Sequence, residues 1–222
     1  MFKMNAIRAA AVTAILGAAG AASAAVITLN FEGVGNLASV NNFYNGGTDS
    51  LGNSGVNYGI AFNANALGII DSDAGGSGNI GNEPTPDTVL FFLTGSAILN
   101  FAPGFTTGFS FFYSTVNFGG SVNVYDNLNA TGNLLGTIAL AALGTGPGDP
   151  NGAFSNWAIG TLGFAGTAKS IDFGGTVNQV AYDNITFGST NPNQGNPVPE
   201  PATLALVGAA LLGAVAARRR KV

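Results

Sequence analysis

Residues 121–140 read SVNVYDNLNATGNLLGTIAL and contain the pattern on which the fold prediction rests. Val122 and Val124 alternate with polar neighbours, as expected of a strand with one buried and one solvated face. The run 126–132 is rich in Asp, Asn and Gly, which favour turns, and residues 134–140 are again mainly apolar. The stretch therefore predicts two strands joined as a β-hairpin.

Short apolar runs separated by turn-rich segments continue through residues 25–188. No segment of ten or more residues keeps a helical period free of glycine. Strands are predicted at 26–31, 57–63, 88–94, 97–101, 108–113, 121–125, 134–140, 156–162, 168–173 and 179–187. This pattern predicts one all-β domain, an antiparallel β-sandwich or jelly roll, with a long Asn- and Gly-rich loop at 36–59.

The composition excludes several classes of function. The 222 residues include no Cys and no His, which removes disulfides, thiolate chemistry, His-based catalysis and the commonest zinc ligands. Between residues 25 and 198 the only base is Lys169, against ten acidic residues. Because nucleic-acid binding depends on Lys and Arg that neutralise phosphates, we expect no nucleic-acid partner. No arrangement of catalytic residues stands out, and we expect no enzymatic activity.

The first residues have the features of a secretory signal. Lys3 and Arg8 supply positive charge, residues 9–19 are apolar, and Ala22-Ser23-Ala24 is an A-x-A cleavage site. We therefore expect residues 1–24 to be a signal peptide with an apolar helix, removed by signal peptidase.

The last residues, 198–222, have three parts in a fixed order. Val198-Pro199-Glu200-Pro201 is followed by an apolar run at 202–217 and by the basic residues 218–221. A helix over this run spans roughly 24 Å, less than the ~30 Å hydrocarbon core. The basic residues that follow would keep that end of the helix on the cytoplasmic side of the membrane. We predict a short transmembrane helix, preceded by a polar linker at 189–197.

The tripeptide, the apolar helix, the basic end and the N-terminal signal together resemble the PEP-CTERM sorting domain of proteins exported by Gram-negative bacteria. The resemblance implies that exosortase, a membrane protease, recognises the sorting signal. Its residues here are Pro199, Glu200, Pro201, Arg218, Arg219, Arg220 and Lys221. The protein would pass through the inner membrane as an intermediate and then reach the cell surface or extracellular matrix. In that family the signal accompanies exopolysaccharide and biofilm production, so extracellular polysaccharide is an expected partner.

The middle of the chain carries a second resemblance. An early strand ends in Phe31-Glu32-Gly33, and the closing strand reads DNITF at 183–187. These two motifs together are similar to those of galactose-binding-like and carbohydrate-binding-module jelly rolls. The resemblance implies a structural calcium ion held by Glu32 and Asp183.

The alternation of the closing strand bears on Asp183 independently. If Ile185 and Phe187 point inward, strict alternation points Asp183 inward too, where an unpaired carboxylate costs several kcal/mol. Either a cation neutralises it, or a bulge at Asp183-Asn184 breaks the register and turns Asp183 outward. Hydrogen bonds to Asp183 without a metal are the other alternative.

Trp157 is the single tryptophan and the best candidate for a glycan contact, because carbohydrate sites stack sugar rings on aromatic faces. A core Trp157 with a hydrogen-bonded indole is the alternative. The sequence thus predicts a non-enzymatic secreted or cell-surface protein, processed by exosortase, that is a structural or adhesive component of an exopolysaccharide or biofilm matrix. The alternative is a carbohydrate-binding module with a defined glycan site.

Overall fold

Apolar residues recurring at every second position give this chain two antiparallel sheets in the computed structural model, which describes residues 26–147 and 152–193. Sheet A contains β1 (Ile27–Leu29), β3 (Leu67–Ile70), β4 (Thr88–Phe91), β6 (Phe109–Ser114), β9 (Ala158–Leu162) and β11 (Ala181–Phe187). Sheet B contains β2 (Ile60–Phe62), β5 (Ala97–Phe105), β7 (Gly120–Tyr125), β8 (Leu134–Leu140) and β10 (Ala168–Phe173). No helix occurs within the two described ranges.

The strand order mixes strands that are distant in the sequence. Sheet A runs β3-β4-β11-β6-β9, with β1 also paired to β11, and sheet B runs β2-β5-β10-β7-β8. All the paired strands are antiparallel. The predicted fold class, an antiparallel β-sandwich of the jelly-roll type, is confirmed.

Aromatic side chains from both sheets fill the space between them. Phe187 of sheet A meets Phe105 of sheet B edge-to-face at 4.9 Å, and Tyr182 meets Phe173 at 5.0 Å. Such pairs add about 0.5–1.5 kcal/mol each to the gain from burial. The Tyr182 hydroxyl donates to the backbone oxygen of Gly174 at 2.6 Å, so its polar end is also satisfied. Packing of this kind joins the sheets without any disulfide.

One strand was not predicted. β3 has four residues and includes Gly68, a residue that lowers strand propensity. Here glycine is required by packing, because a Cβ at position 68 would lie 2.6 Å from Cγ1 of Val34. The loop at 36–59 contains no strand, as expected, yet Val40, Phe43 and Tyr44 within it are buried in the core.

The predicted signal peptide at 1–24, the sorting tail at 198–222 with its transmembrane helix, and residues 194–197 of the linker lie outside the described residues. Within the described residues, no helix is long and apolar enough to span a membrane. Part of the predicted linker contacts the sandwich, since the Ser110 hydroxyl donates to the backbone oxygen of Ser189 at 3.0 Å.

Candidate functional site

A gap in strand pairing marks the candidate site. Along one side of β11, β1 pairs as far as Ile185 and β4 pairs at Tyr182. Asp183 and Asn184 therefore lie between the ends of two neighbouring strands. The segments that leave β1 and enter β4 meet at this gap, and they supply the remaining residues of the site.

β11 contains a bulge at the gap. Its register against β6 shifts by one residue between Asp183 and Thr186, and Asn184 has a φ of 49°, a left-handed conformation that Asn tolerates better than most residues. As a result, both Tyr182 and Ile185 are buried in the core. The bulge that the sequence analysis offered as one alternative is present. It does not expose Asp183, however, which has 0% accessible surface.

Asp183 stays buried because the loop before β4 covers it. The backbone N–H of Thr85 donates to Asp183 Oδ2 at 3.0 Å, and the Thr85 hydroxyl lies 3.0 and 2.9 Å from the two carboxylate oxygens. The N–H of Asn184 donates to Oδ1 at 2.6 Å. The carboxylate therefore has several donors, all of them neutral.

Glu32 lies in the turn that follows β1. It is half-buried, and its Oε1 accepts the N–H of Thr88 at 3.1 Å, where β4 begins. The preceding residue, Phe31, has a φ of 61°, and its N–H donates to the Tyr44 hydroxyl at 2.8 Å. The turn is thus fixed on both sides of Glu32 by contacts to distant segments.

The site holds two carboxylates in a buried environment, and burial disfavours their charged forms. Burial raises the pKa of Asp183 from 3.8 to about 7, although the Thr85 donors oppose this, and the charge of Glu32 raises it further. Burial also raises the pKa of Glu32 from 4.5 to about 7, against the N–H of Thr88 and with a contribution from Asp87. The structure therefore brings the two predicted residues within electrostatic reach of each other.

The donor set of the site is made of oxygen. Four oxygens lie within 3.5 Å of the Thr85 hydroxyl: both Asp183 carboxylate oxygens, the Asn30 backbone oxygen and Asn184 Oδ1. A hydroxyl has one proton, so most of these acceptors receive none from it. Carboxylates with backbone and amide oxygens are the ligands that calcium prefers, and these residues fit that ion. No group of three or more Asp, Glu, His or Cys in the described ranges could hold a metal, so neutral oxygens would have to complete the shell.

Trp157 lies outside this site. It is half-buried, packs against the small apolar cluster of Ile80, Val89 and Ala181, and its indole N–H donates to the Gly81 backbone oxygen at 3.0 Å. These contacts are those of a core residue with a satisfied indole. A glycan contact at Trp157 stays a prediction.

Asp49 is a structural residue that the sequence analysis missed. It is buried, and its carboxylate accepts the N–H groups of Gly35, Leu51 and Asn53 at 2.8–2.9 Å, and the Asn53 side chain at 2.9 Å. Although burial alone would raise the pKa of Asp49, these donors together lower it. The sequence DSLGN at 49–53 is typical of an Asx turn and could have indicated the local bonds, but not the bond to Gly35.

The chain has little similarity to proteins of known function. No curated protein matches it. Among solved structures it is similar to a carbohydrate-binding module from Cellvibrio mixtus lichenase 5A in complex with cellotriose, at 14% identity and a TM-score of 0.33, over 58% of this chain and 89% of that one.

The predicted sorting residues at 199–201 and 218–221 lie outside the described residues, so the sequence match alone bears on them. Residues 197–221 match the family model of the PEP-CTERM protein-sorting motif. The chain therefore carries a PEP-CTERM sorting motif, which implies an exported protein that exosortase processes.

Proposed function

We propose that this chain is a non-enzymatic component of the cell surface or extracellular matrix, with a structural or adhesive role in an exopolysaccharide or biofilm matrix. The sorting motif at 197–221 carries the proposal, because it implies export. Exosortase cleavage near Pro199-Glu200-Pro201 would release the protein from the inner membrane.

The burial and hydrogen bonding of three carboxylates support a role without catalysis. Asp49, Asp71 and Asp183 are buried and accept hydrogen bonds from backbone N–H groups of their own fold. Carboxylates with this environment stabilise loops, whereas a hydrolase needs two that reach a substrate. A turnover assay on matrix polysaccharides is expected to show no product.

Export and processing are tested by determining the C-terminus of the protein by mass spectrometry, in the extracellular and membrane fractions of cells with and without exosortase. We expect the mature chain to end near residues 199–201 in the first strain and at Val222 in the second. A Glu200→Ala variant should also retain Val222, whereas Gln194→Ala, a matched change in the linker, should be cut normally. An extracellular chain that still ends at Val222 in normal cells would contradict the proposal.

The matrix role needs a separate test. Extracellular protein is separated into a polysaccharide-bound and a free fraction, before and after glycanase treatment. We expect the protein in the bound fraction, and its release when the polysaccharide is digested. A protein found only in the free fraction argues against a matrix role even if processing is normal.

We further propose that Glu32 and Asp183 hold a calcium ion, with the Asn30 backbone oxygen and Asn184 Oδ1 as neutral ligands. The ion would neutralise two carboxylates whose pKa is raised by burial. It would also tie the end of β1 to the bulge of β11. The role of the ion would be structural.

A further inference from the structure

The two sides of the sandwich differ in how their sheet edges are covered. On one side, the loop at 36–59 supplies hydrogen-bond partners for the backbone of the edge strands. The N–H of Ile60 in β2 donates to Tyr44 O at 3.1 Å, and the N–H of Gly68 in β3 donates to Ala38 O at 2.9 Å. These bonds close the edges against other chains.

The opposite edges, β8 and β9, have no such cover among the described residues. In the part of the chain that the structure describes, β8 is paired only with β7 and β9 only with β6. Apart from those pairings, no backbone hydrogen bond in the described ranges reaches Leu134–Leu140. One row of backbone donors and acceptors along β8 is therefore available to another strand.

The open side also lacks the residues that usually protect an edge. Residues 127–168 contain a single charged residue, Asp149, and β8 itself has neither a charge nor a proline. Natural edge strands are usually protected by Lys, by Pro or by bulges. β8 has a bulge only near its start, between the partners of Val124 and Tyr125, so Gly136–Leu140 remains regular.

We propose that β8 pairs antiparallel with β8 of a second copy of this chain, joining two copies of sheet B into one sheet. The edge is compatible with a second copy: the body of the protein is acidic, but β8 carries no charge, so two copies can meet along it without like charges on the paired strands. A two-fold axis at Ile138 places Thr137 of each copy opposite Ala139 of the other. Both side chains are exposed and small, so the strands can approach without a clash.

The pairing also covers apolar surface. Ile138 is half-buried at the end of the core, and its counterpart in the second copy would cover it. Leu162 of β9 already fills the space over Gly136, where a Cβ would lie 2.7 Å from Leu162 Cδ2. The pairing thus covers the apolar end of each core with the other copy. Because each copy uses its single β8 edge, the two-fold pairing stops at a dimer. It does not depend on the proposed matrix role.

The test is sedimentation of the purified extracellular protein from about 1 to 100 µM, a range that resolves micromolar affinity. We expect a monomer–dimer equilibrium that Ala139→Lys weakens at least about tenfold, because the two introduced charges then lie diagonally across the pairing on the same face, within reach of each other. The matched control is Ala102→Lys, also an exposed alanine, on the irregular part of β5 away from the β8 edge, with the same change in net charge.

Circular dichroism and thermal melting establish that each variant is folded. If Ala139→Lys fails to fold, Thr137→Lys takes its place at the same edge. Retention of the dimer in Ala102→Lys and its loss in the edge variant support the proposal. A wild-type protein that is monomeric over the whole range, or equal weakening by both lysines, overturns it.

Discussion

The Thr85 hydroxyl lies 2.9 Å from Oδ2 of Asp183, across 98 positions of sequence. The same residue also donates its backbone N–H to that carboxylate. Through this pair, the loop before β4 is fixed over the bulge of β11. The only donors to the Asp183 carboxylate in the described structure are these two groups and the N–H of Asn184.

Removal of the Thr85 hydroxyl should destabilise the fold. We expect Thr85→Val, which keeps the shape, to lower the free energy of unfolding by about 2 kcal/mol, since hydrogen bonds to ionised groups contribute about 1.5–3 kcal/mol. Thr85→Ser keeps the hydroxyl and should lose much less. Urea unfolding near pH 8 measures both, and equal losses in the two variants would contradict the assigned contact.

Stability should depend on pH through Asp183 and Glu32. Each has a folded pKa of about 7, above its unfolded value of about 4. Their contribution to stability is therefore complete below pH 4 and is lost as the pH rises through 7. For Asp183 the loss is on the order of 4 kcal/mol, from 1.36 kcal/mol per pKa unit.

The measurement is unfolding in EDTA between pH 4 and 8 for the wild type and for Asp183→Asn. The difference between the two isolates this group from the other carboxylates. We expect the variant to gain on the wild type as the pH rises. A constant difference across this range would argue that the pKa of Asp183 is not raised.

Calcium should reverse this loss at high pH. Both carboxylates are charged at pH 8, and a ligand at 100 times its Kd stabilises the folded state by about 2.7 kcal/mol. For a domain of this size that corresponds to a rise in Tm of roughly 5–10 °C. At pH 5 the carboxylates are protonated, and we expect little effect.

The control for calcium is a carboxylate outside the site. Glu32→Gln should abolish the rise in Tm, and Asp126→Asn, an acidic residue on the β7–β8 connection, should leave it intact. A melting temperature at pH 8 that is the same in millimolar Ca²⁺ and in EDTA would exclude the site.

The fold could be predicted because its signals are local. Alternation at Val122 and Val124 and turn residues at 126–132 define a hairpin within 20 residues of sequence. The bulge was one of the alternatives raised by a single conflict, a carboxylate at 183 in a strand whose other alternate residues are apolar, and the outward turn expected with it is absent because Asp183 is buried. The cover over Asp183 could not be predicted in the same way. Nothing near Thr85 in the sequence identifies a partner 98 positions away, and the bond between Asp49 and Gly35 has no local signature either.

Trp157 separates the proposed matrix role from a defined glycan site. Its indole N–H donates to Gly81, and its ring packs on Ile80 and Val89, so Trp157→Ala should cost about 3 kcal/mol of stability. Trp157→Phe should cost less, because the ring packing is largely kept and only the hydrogen bond is lost. If the ring is a core residue, polysaccharide binding by the folded Phe variant should equal that of the wild type. A folded Phe variant that loses saturable binding to one glycan would instead place a sugar on this ring, and favour a carbohydrate-binding module.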